Sequence, residues 1–201
     1  PHALLFLESP PQSGPFPWDP AQVPNAVHAA HWYDGLTLMT KRYWPFLGAE
    51  ADTGKVVFGR RRVRRSFAGQ LAHIQAATER AMGGIPTLLG EFGIPFDLNG
   101  GRAYRTGDFS DQVQALDDTF QALEAHLLSG TLWNYTADND NTRGDQWNGE
   151  DLSIFSRDQQ ADPGDLNSGG RALEAAVRPY AARTAGEPLA MSYDPRRRTF
   201  L

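Results

Sequence analysis

The chain contains no cysteine, and none of its apolar runs approaches the length that a membrane-spanning helix needs. Without cysteine, disulfides and thiolate metal sites are excluded, while the redox compartment stays open. Basic residues are not in excess, and the net charge of −5 gives no reason to expect nucleic acid as a partner. The apolar residues 1–7 have neither a basic segment nor a cleavage site, so no signal peptide is recognisable and the localisation is left open.

What the sequence does have is the composition of a globular protein, with 40% hydrophobic and 11% aromatic residues. Its 201 residues suffice to bury one sizeable core. The chain begins without methionine inside a strand-like stretch, and it stops in another at residues 198–201. We therefore expect a piece of a longer protein, with a processed N-terminus as the alternative explanation.

The hydrophobic pattern alternates between strands and helices. Strands are predicted at residues 3–7, 26–33, 87–91 and 131–135. Helices are predicted from an N-cap at Ser66 to Gly83, from Asp111 to Gly130 and over residues 170–182, with another inside the irregular stretch 35–65. In the second helix, Val113, Leu116, Phe120, Leu123 and Leu127 recur at spacings of 3 and 4. Polar loops are expected up to residue 24, after the third strand and at 137–167.

This alternation predicts an α/β fold with a parallel sheet. The polar and aromatic residues of interest follow strands and not helices, which is the polarity of an α/β barrel. A doubly wound sheet also places its sites at strand ends, but the Gly-rich phosphate turn of that fold is missing. Four strands cannot close a barrel that needs eight, so we expect part of a TIM barrel.

Glu91 follows a short apolar strand and stands between Gly90 and Gly93. Glycines allow the backbone to pass close beside a ligand, and α/β barrels carry their chemistry at this end of the strands. A solvated glutamate at a strand end is the alternative. Cleavage of a glycosidic bond with retention needs two carboxyl groups about 5 Å apart. A tyrosine hydroxyl such as Tyr33 can orient one of them, and the Trp133 ring can lie under a sugar.

Four motifs carry a resemblance to a known family: His31-Trp-Tyr-Asp34, Gly90-Glu-Phe-Gly93, Leu132-Trp-Asn-Tyr135, and the long loop from Asp138-Asn-Asp-Asn to Asp151-Leu-Ser-Ile154. The chain resembles glycoside hydrolase family 5 of the cellulase superfamily, in its endoglycoceramidase-like, glycolipid β-glucosidase branch. The resemblance covers residues 3–182. It implies the C-terminal half of the barrel, strands 5 to 8, in residues 1–184. Residues 185–201 would then be a linker and the start of a β-sandwich.

The resemblance implies that Glu91 is the catalytic nucleophile and that His31 and Tyr33 lie beside it, with Tyr33 donating a hydrogen bond to it. It also implies that the Trp133 ring lies under the sugar in its subsite. The acid/base glutamate of the family's Asn-Glu motif would precede Pro1, and no Asn-Glu pair occurs in the chain. We therefore expect a retaining β-glycosidase that depends on the N-terminal half of the barrel and is inactive without it. Ceramide, sterol and a second sugar all remain open as the aglycone. A non-catalytic carbohydrate-binding protein is the alternative function.

Other residues allow two interpretations. Glu8 ends the first strand and is either a substitute acid or a structural residue, and His31 could be a hydrogen-bonded core residue. Asn134, in the last predicted strand, and Asp138 and Trp147, in the long loop, are expected to bind the substrate, although Trp147 could be purely structural. The loop departs from a calcium-binding pattern because it lacks the Gly at position 6 and the Glu at position 12. We expect neither a metal nor a cofactor.

The basic run Arg60–Arg65 also has two interpretations. It is either a solvated helix start and loop or, with the aromatic residues Tyr43-Trp-Pro-Phe46, a membrane-docking surface. An isolated half-barrel would expose open sheet edges, so we also expect the fragment to associate unless the other half is present.

Overall fold

The computed structural model describes residues 3–10, 13–22, 24–50, 53–165 and 167–201. Residues 11, 12, 23 and 166, which fall in the predicted loops, and residues 51 and 52 lie outside this description. The strands are β1 (Leu5–Glu8), β2 (Ala26–His31), β3 (Leu47–Ala49), β4 (Val56–Phe58), β5 (Thr87–Phe92), β6 (Ser129–Leu132), β7 (Tyr193–Asp194) and β8 (Thr199–Phe200). The helices are α1 (Gly35–Thr40), α2 (Arg60–Met82), α3 (Leu98–Thr106), α4 (Ser110–Glu124) and α5 (Leu173–Ala176).

The centre of the fold is a four-stranded parallel sheet in the order β1-β2-β5-β6. Helices α2 and α4 each connect neighbouring strands of this sheet and pack against one another. This arrangement confirms the predicted part of an α/β barrel, because an open parallel arc with helices on its outside is what half of such a barrel consists of. The strands β1 and β6 form the two edges of the arc.

The main core lies between the sheet and helices α2 and α4. Leu71 from α2, Leu89 and Phe92 from β5, and Leu116 from α4 are almost fully buried in one continuous cluster. Each such side chain contributes about 1.5–3 kcal/mol to folding through the surface it removes from water. The connection from β1 to β2 contains no helix in its described residues, and Trp18 from this loop packs on a smaller cluster.

The predicted segment boundaries are wrong in several places. Helix α2 begins at Arg60 after the N-cap Gly59, and Ser66 does not cap it but donates a hydrogen bond to Glu50 Oε1 at 2.9 Å. The predicted helix in residues 35–65 exists as α1 and is followed by the β3–β4 hairpin. Helix α4 ends at Glu124, and Gly130 lies within β6, where a side chain would collide with the Phe92 ring.

Two further helices differ from the prediction for backbone reasons. Helix α3 lies in a predicted loop, and its first turn contains left-handed residues at Asn99, Gly100 and Gly101, which the sequence pattern of a regular helix does not include. The helix predicted at residues 170–182 is only the short α5. It cannot begin earlier, because Ala172 is in the left-handed conformation. It cannot extend far beyond Ala176, because a helical conformation is unfavourable for Arg178, the residue before Pro179.

The tail forms the short antiparallel hairpin β7–β8. It is tied to the barrel segment through Glu124 of α4, whose carboxylate accepts from the backbone amide of Tyr193 at 3.2 Å and from Arg178 Nε at 2.7 Å. Among the described residues, no helix has both the length and the apolarity to cross a lipid bilayer.

Candidate active site at the carboxyl ends of the strands

The end of β5 is bulged, and the bulge determines where Glu91 stands. On one side Ala30 pairs with Leu89 and His31 with Glu91, so Gly90 is an extra residue opposite β2. On the other side Leu89 pairs with Gly130 and Phe92 with Leu132, again with one extra residue in β5. Bulges of this kind redirect side chains at the ends of strands. A Cβ at Gly90 would lie 2.8 Å from Ala29 Cβ, so the bulge requires glycine here.

Tyr33 donates a hydrogen bond from its hydroxyl to Glu91 Oε1 at 2.5 Å. The Glu91 side chain is 23% exposed and therefore open to a ligand. Burial raises the pKa of Tyr33 strongly, and the neighbouring Glu91 carboxylate raises it further. The hydroxyl therefore stays protonated and acts as a permanent donor to Glu91.

His31 lies between two carboxylates. Its Nδ1 is 3.4 Å from Glu91 Oε2, and its Nε2 is 3.9 Å from Glu8 Oε1. Glu8 is 67% exposed and lies on the opposite side of the imidazole ring from Glu91. Glu8 therefore lies at the same end of the sheet as Glu91, with His31 between the two carboxylates.

Trp133 directly follows β6, next to the end of the strand that carries Glu91. Its backbone amide donates to the Phe92 carbonyl at 2.7 Å, and its side chain is 37% exposed. A side chain at Gly93 would overlap the Trp133 carbonyl oxygen. At Gly90 and Gly93 alike, the reason for glycine that the structure gives is a close neighbouring strand and not a ligand.

Asn134 and the long loop are held by a buried polar network. Asn134 donates to Asp145 Oδ2 at 3.2 Å, and Asn139, which is fully buried, donates to Asp145 at 2.8 Å and to Asp151 at 2.9 Å. The side-chain amide of Asn134 is thus directed into the loop. Among the described residues, no group of three or more His, Asp or Glu side chains is arranged to hold a metal ion.

Arg171 closes this network from the far end of the loop. It is 1% exposed, and its Nη2 and Nη1 lie 2.6 and 3.3 Å from the two oxygens of Asp151. Its guanidinium also stacks 4.2 Å from the centre of the Phe96 ring, and Tyr104 donates to Asp151. No local sequence pattern marks Tyr104, Asp151 and Arg171 as partners, because they lie far apart in the chain.

The remaining predicted loop residues lie on the surface. Trp147 is 62% exposed, and Asp138 is exposed, with its backbone carbonyl accepting from Gln146. Neither forms a recorded hydrogen bond or ion pair with Glu91 in the described part of the chain. Glu150, for which the sequence predicts no role, carries a charge that contributes to the raised pKa of Tyr33 after burial and Glu91.

Fold and site together define a partial α/β barrel with a tyrosine-bound glutamate at its strand ends. No protein-family model matches the chain. It is 35% identical over 191 residues to a glucosylceramidase from Rhizopus delemar, covering 85% of this chain and 28% of that protein. It is 39% identical over 171 residues to a glucosylceramidase from Aspergillus fumigatus, covering 79% of this chain and 22% of that protein. A Saccharomyces cerevisiae ergosteryl-β-glucosidase is 38% identical over 147 residues, 68% of this chain and 19% of that enzyme.

A solved structure supports the same assignment. Cryptococcus neoformans sterylglucosidase 1 superimposes with a TM-score of 0.87 at 33% identity, over 94% of this chain and 30% of the other. The chain is therefore a homologue of the glycolipid glucosidase branch of glycoside hydrolase family 5, as the motifs indicated. It spans less than a third of the length of these relatives.

Proposed function

We propose that this chain supplies the nucleophile side of a retaining β-glucosidase that acts on glycolipids. The observation that carries the proposal is the 2.5 Å hydrogen bond from Tyr33 to a partly exposed Glu91 at the end of a barrel strand. The names of the relatives, glucosylceramidase and ergosteryl-β-glucosidase, support a glucolipid substrate and leave ceramide and sterol as the candidate aglycones.

In the proposed mechanism, a Glu91 oxygen attacks the anomeric carbon as the bond to the aglycone oxygen breaks. A second carboxyl group donates its proton to that oxygen and later takes one from the water that hydrolyses the glycosyl–Glu91 ester. Tyr33 holds Oε1 of Glu91, while His31 faces Oε2. We assign the acid/base to the rest of the barrel, because His31 separates Glu8 from Glu91.

The roles of the sugar-binding residues are also proposals. The Trp133 ring is exposed and follows the strand beside that of Glu91, and it is the proposed floor of the sugar subsite. Trp147 and Asp138 are exposed and available to a substrate. Asn134 would act through Asp145, because its side-chain amide donates a hydrogen bond to that carboxylate.

We further propose residues 1–184 as the barrel segment and 185–201 as a linker with the start of a β-sandwich. Association with a membrane surface would follow from a lipid substrate.

The decisive experiment is Glu91→Gln in the whole protein that carries this chain. We expect kcat on an aryl β-glucoside to fall by at least about 10³-fold, because the covalent intermediate cannot form. The circular dichroism spectrum should stay unchanged. Glu79→Gln, at an exposed position on α2, is the matched control and should keep full activity.

Mass spectrometry provides an independent readout. A slow fluorosugar substrate that accumulates the glycosyl-enzyme should label the peptide that contains Glu91. Retained activity in Glu91→Gln, or a label on Glu8, would refute the assignment. Sugar binding without turnover by the wild-type protein would favour a carbohydrate-binding protein instead.

A further inference from the structure

The β3–β4 hairpin exposes large apolar side chains in place of burying them. Phe46, just before β3, is 65% exposed, and Val56 and Phe58 of β4 are 53% and 68% exposed. The inner side of the hairpin is used for folding, since Gly48 and Val57 pack near Val63 of α2. The outer side presents apolar groups to water, an arrangement that in soluble proteins marks an interaction surface when the groups are contiguous.

The first two turns of α2 distribute their arginines over two faces. Arg64 points towards α4 and pairs with Asp118, with Nη2 at 2.5 Å from Oδ1. Arg61, Arg62 and Arg65 are exposed, and no ion pair is recorded for them within the described ranges. They sit at a helix N-terminus, where the helix dipole favours negative charge, and the first turn contains no acidic residue. The arginines are therefore unfavourable for the helix itself, which indicates a role outside it.

The apolar and basic groups share one surface. A groove of about 700 Å³ runs between the hairpin and α2 and is lined by Lys55, Val56, Phe58, Arg62 and Arg65, among others. Arg61 and Arg65 lie one helical turn apart on the same face. We call the set Phe46, Val56, Phe58, Arg61, Arg62 and Arg65 the rim patch.

The rim patch lies on the same side of the barrel as Glu91. Both the hairpin and the start of α2 belong to the connection that leaves the carboxyl end of β2, where His31 and Tyr33 stand. Within the run Tyr43-Trp-Pro-Phe46, Tyr43 does not belong to the rim patch, because it is buried and donates a hydrogen bond to Asp118 at 2.6 Å. Phe46 is the member of that run that remains strongly exposed.

We propose that the rim patch docks this protein on an anionic lipid bilayer, with the mouth of the barrel facing the membrane. Exposed aromatic and aliphatic side chains flanked by arginines are the chemistry that interfacial surfaces use: the apolar groups enter the acyl boundary and the arginines meet lipid phosphates and carboxylates. This inference rests on the proposed function in so far as a glycolipid substrate is embedded in the same bilayer.

The test is co-sedimentation of the whole protein with vesicles of phosphatidylcholine alone or mixed with phosphatidylserine. We expect binding to the mixed vesicles that weakens with added salt. Arg61→Gln/Arg62→Gln/Arg65→Gln should bind on the order of 100-fold more weakly, since each arginine near the surface contributes about fivefold. Phe58→Ser should weaken binding independently of salt. Arg196→Gln/Arg197→Gln/Arg198→Gln, with the same change of charge on the exposed β7–β8 turn, should bind like the wild type.

Turnover separates this proposal from the previous one. All of these variants should hydrolyse a soluble aryl β-glucoside at the wild-type rate, whereas the rim-patch variants should lose activity on a glucolipid in mixed vesicles. Binding that is equal on both vesicle types, or unchanged in the triple arginine variant, would overturn the docking proposal while leaving the glucosidase assignment intact. A wild-type protein that binds neither vesicle type, together with a triple variant that melts earlier, would show that the patch contacts protein, and would also overturn the docking proposal.

Discussion

Two of the tyrosine–carboxylate pairs in this molecule have opposite surroundings. Tyr33 donates to Glu91 at the strand ends, and Tyr104 donates to Asp151 beneath the long loop. In both, burial is the first cause of a raised tyrosine pKa, so both hydroxyls remain donors. The pairing alone therefore does not distinguish a reactive group from a structural one.

The difference is what else the carboxylate binds. Asp151 accepts from Arg171 through both oxygens and from Asn139, and its side chain is 6% exposed. Glu91 has one short hydrogen bond and a histidine at 3.4 Å, is 23% exposed, and has no recorded arginine or lysine partner in the described segments. A carboxylate whose lone pairs are all engaged anchors a loop, whereas one that keeps a free oxygen is available to a reacting carbon.

Asp151→Asn should give the largest effect on folding. It leaves the guanidinium of Arg171 buried without its counter-charge, which costs about 3–5 kcal/mol. Chemical denaturation should show this loss of unfolding free energy, and Asp138→Asn, at an exposed position of the same loop, should change it little. Equal stability of the two variants would mean that the Asp151 network does not hold the loop.

Tyr33→Phe and Tyr104→Phe should have different effects, the first on kcat and the second on stability. Tyr33→Phe removes a donor to the proposed nucleophile, and kcat should fall on the order of 10²-fold with little loss of stability. Tyr104→Phe should instead cost about 1–3 kcal/mol of stability and leave kcat unchanged, because a buried acceptor loses its donor. Steady-state kinetics and denaturation on both variants check this, and a reversed pattern would contradict the contrast drawn above.

The smallest expected effect concerns His28, a buried histidine of β2. Thr78 donates to the Ile74 carbonyl at 3.0 Å, so His28 Nδ1 carries the proton and donates to Thr78 Oγ1 at 2.6 Å, while Nε2 accepts from Ser9 at 3.3 Å. Burial lowers the pKa of His28. Between this lowered pKa and the ordinary value of about 6.5, the unfolded chain binds more protons than the folded one.

The free energy of unfolding should therefore decrease as the pH falls below about 6.5, with a slope approaching about 1.4 kcal/mol per pH unit. His28→Asn removes the titrating group and should flatten this part of the profile. The exposed His73 offers the matched control, and His73→Asn should leave the slope as it is. An identical slope in both variants would show that His28 does not contribute to it.

The sequence predicts much of the fold, since the stripe of α4 and the strand before Glu91 follow regular periods of hydrophobicity. The four strands of the parallel sheet, the helices α2 and α4 between them, and the position of Glu91 at a strand end are recovered from these patterns. The resemblance of the motifs also places Tyr33 beside Glu91 before any coordinates are considered.

The parts that are missed depend on contacts between distant residues or on the backbone. Arg171 falls inside a helix predicted from the sequence, and only its pairing with Asp151, 20 residues away, shows that it belongs to the loop. The bulge at Gly90 appears only when β5 is aligned with both of its neighbours. The left-handed residues at the start of α3 resemble loop residues in the sequence, because glycine and asparagine are common in loops and also adopt the left-handed conformation.

Gly93 has a consequence for how this site can evolve. The backbone of β5 lies so close to the Trp133 carbonyl that not even a methyl group fits between them. The main chain just after β5 and the main chain at Trp133 are thus in direct contact, and position 93 has no room for a side chain. Exposed loop positions such as Trp147 can therefore change without disturbing the backbone contact between the chain after β5 and the chain after β6.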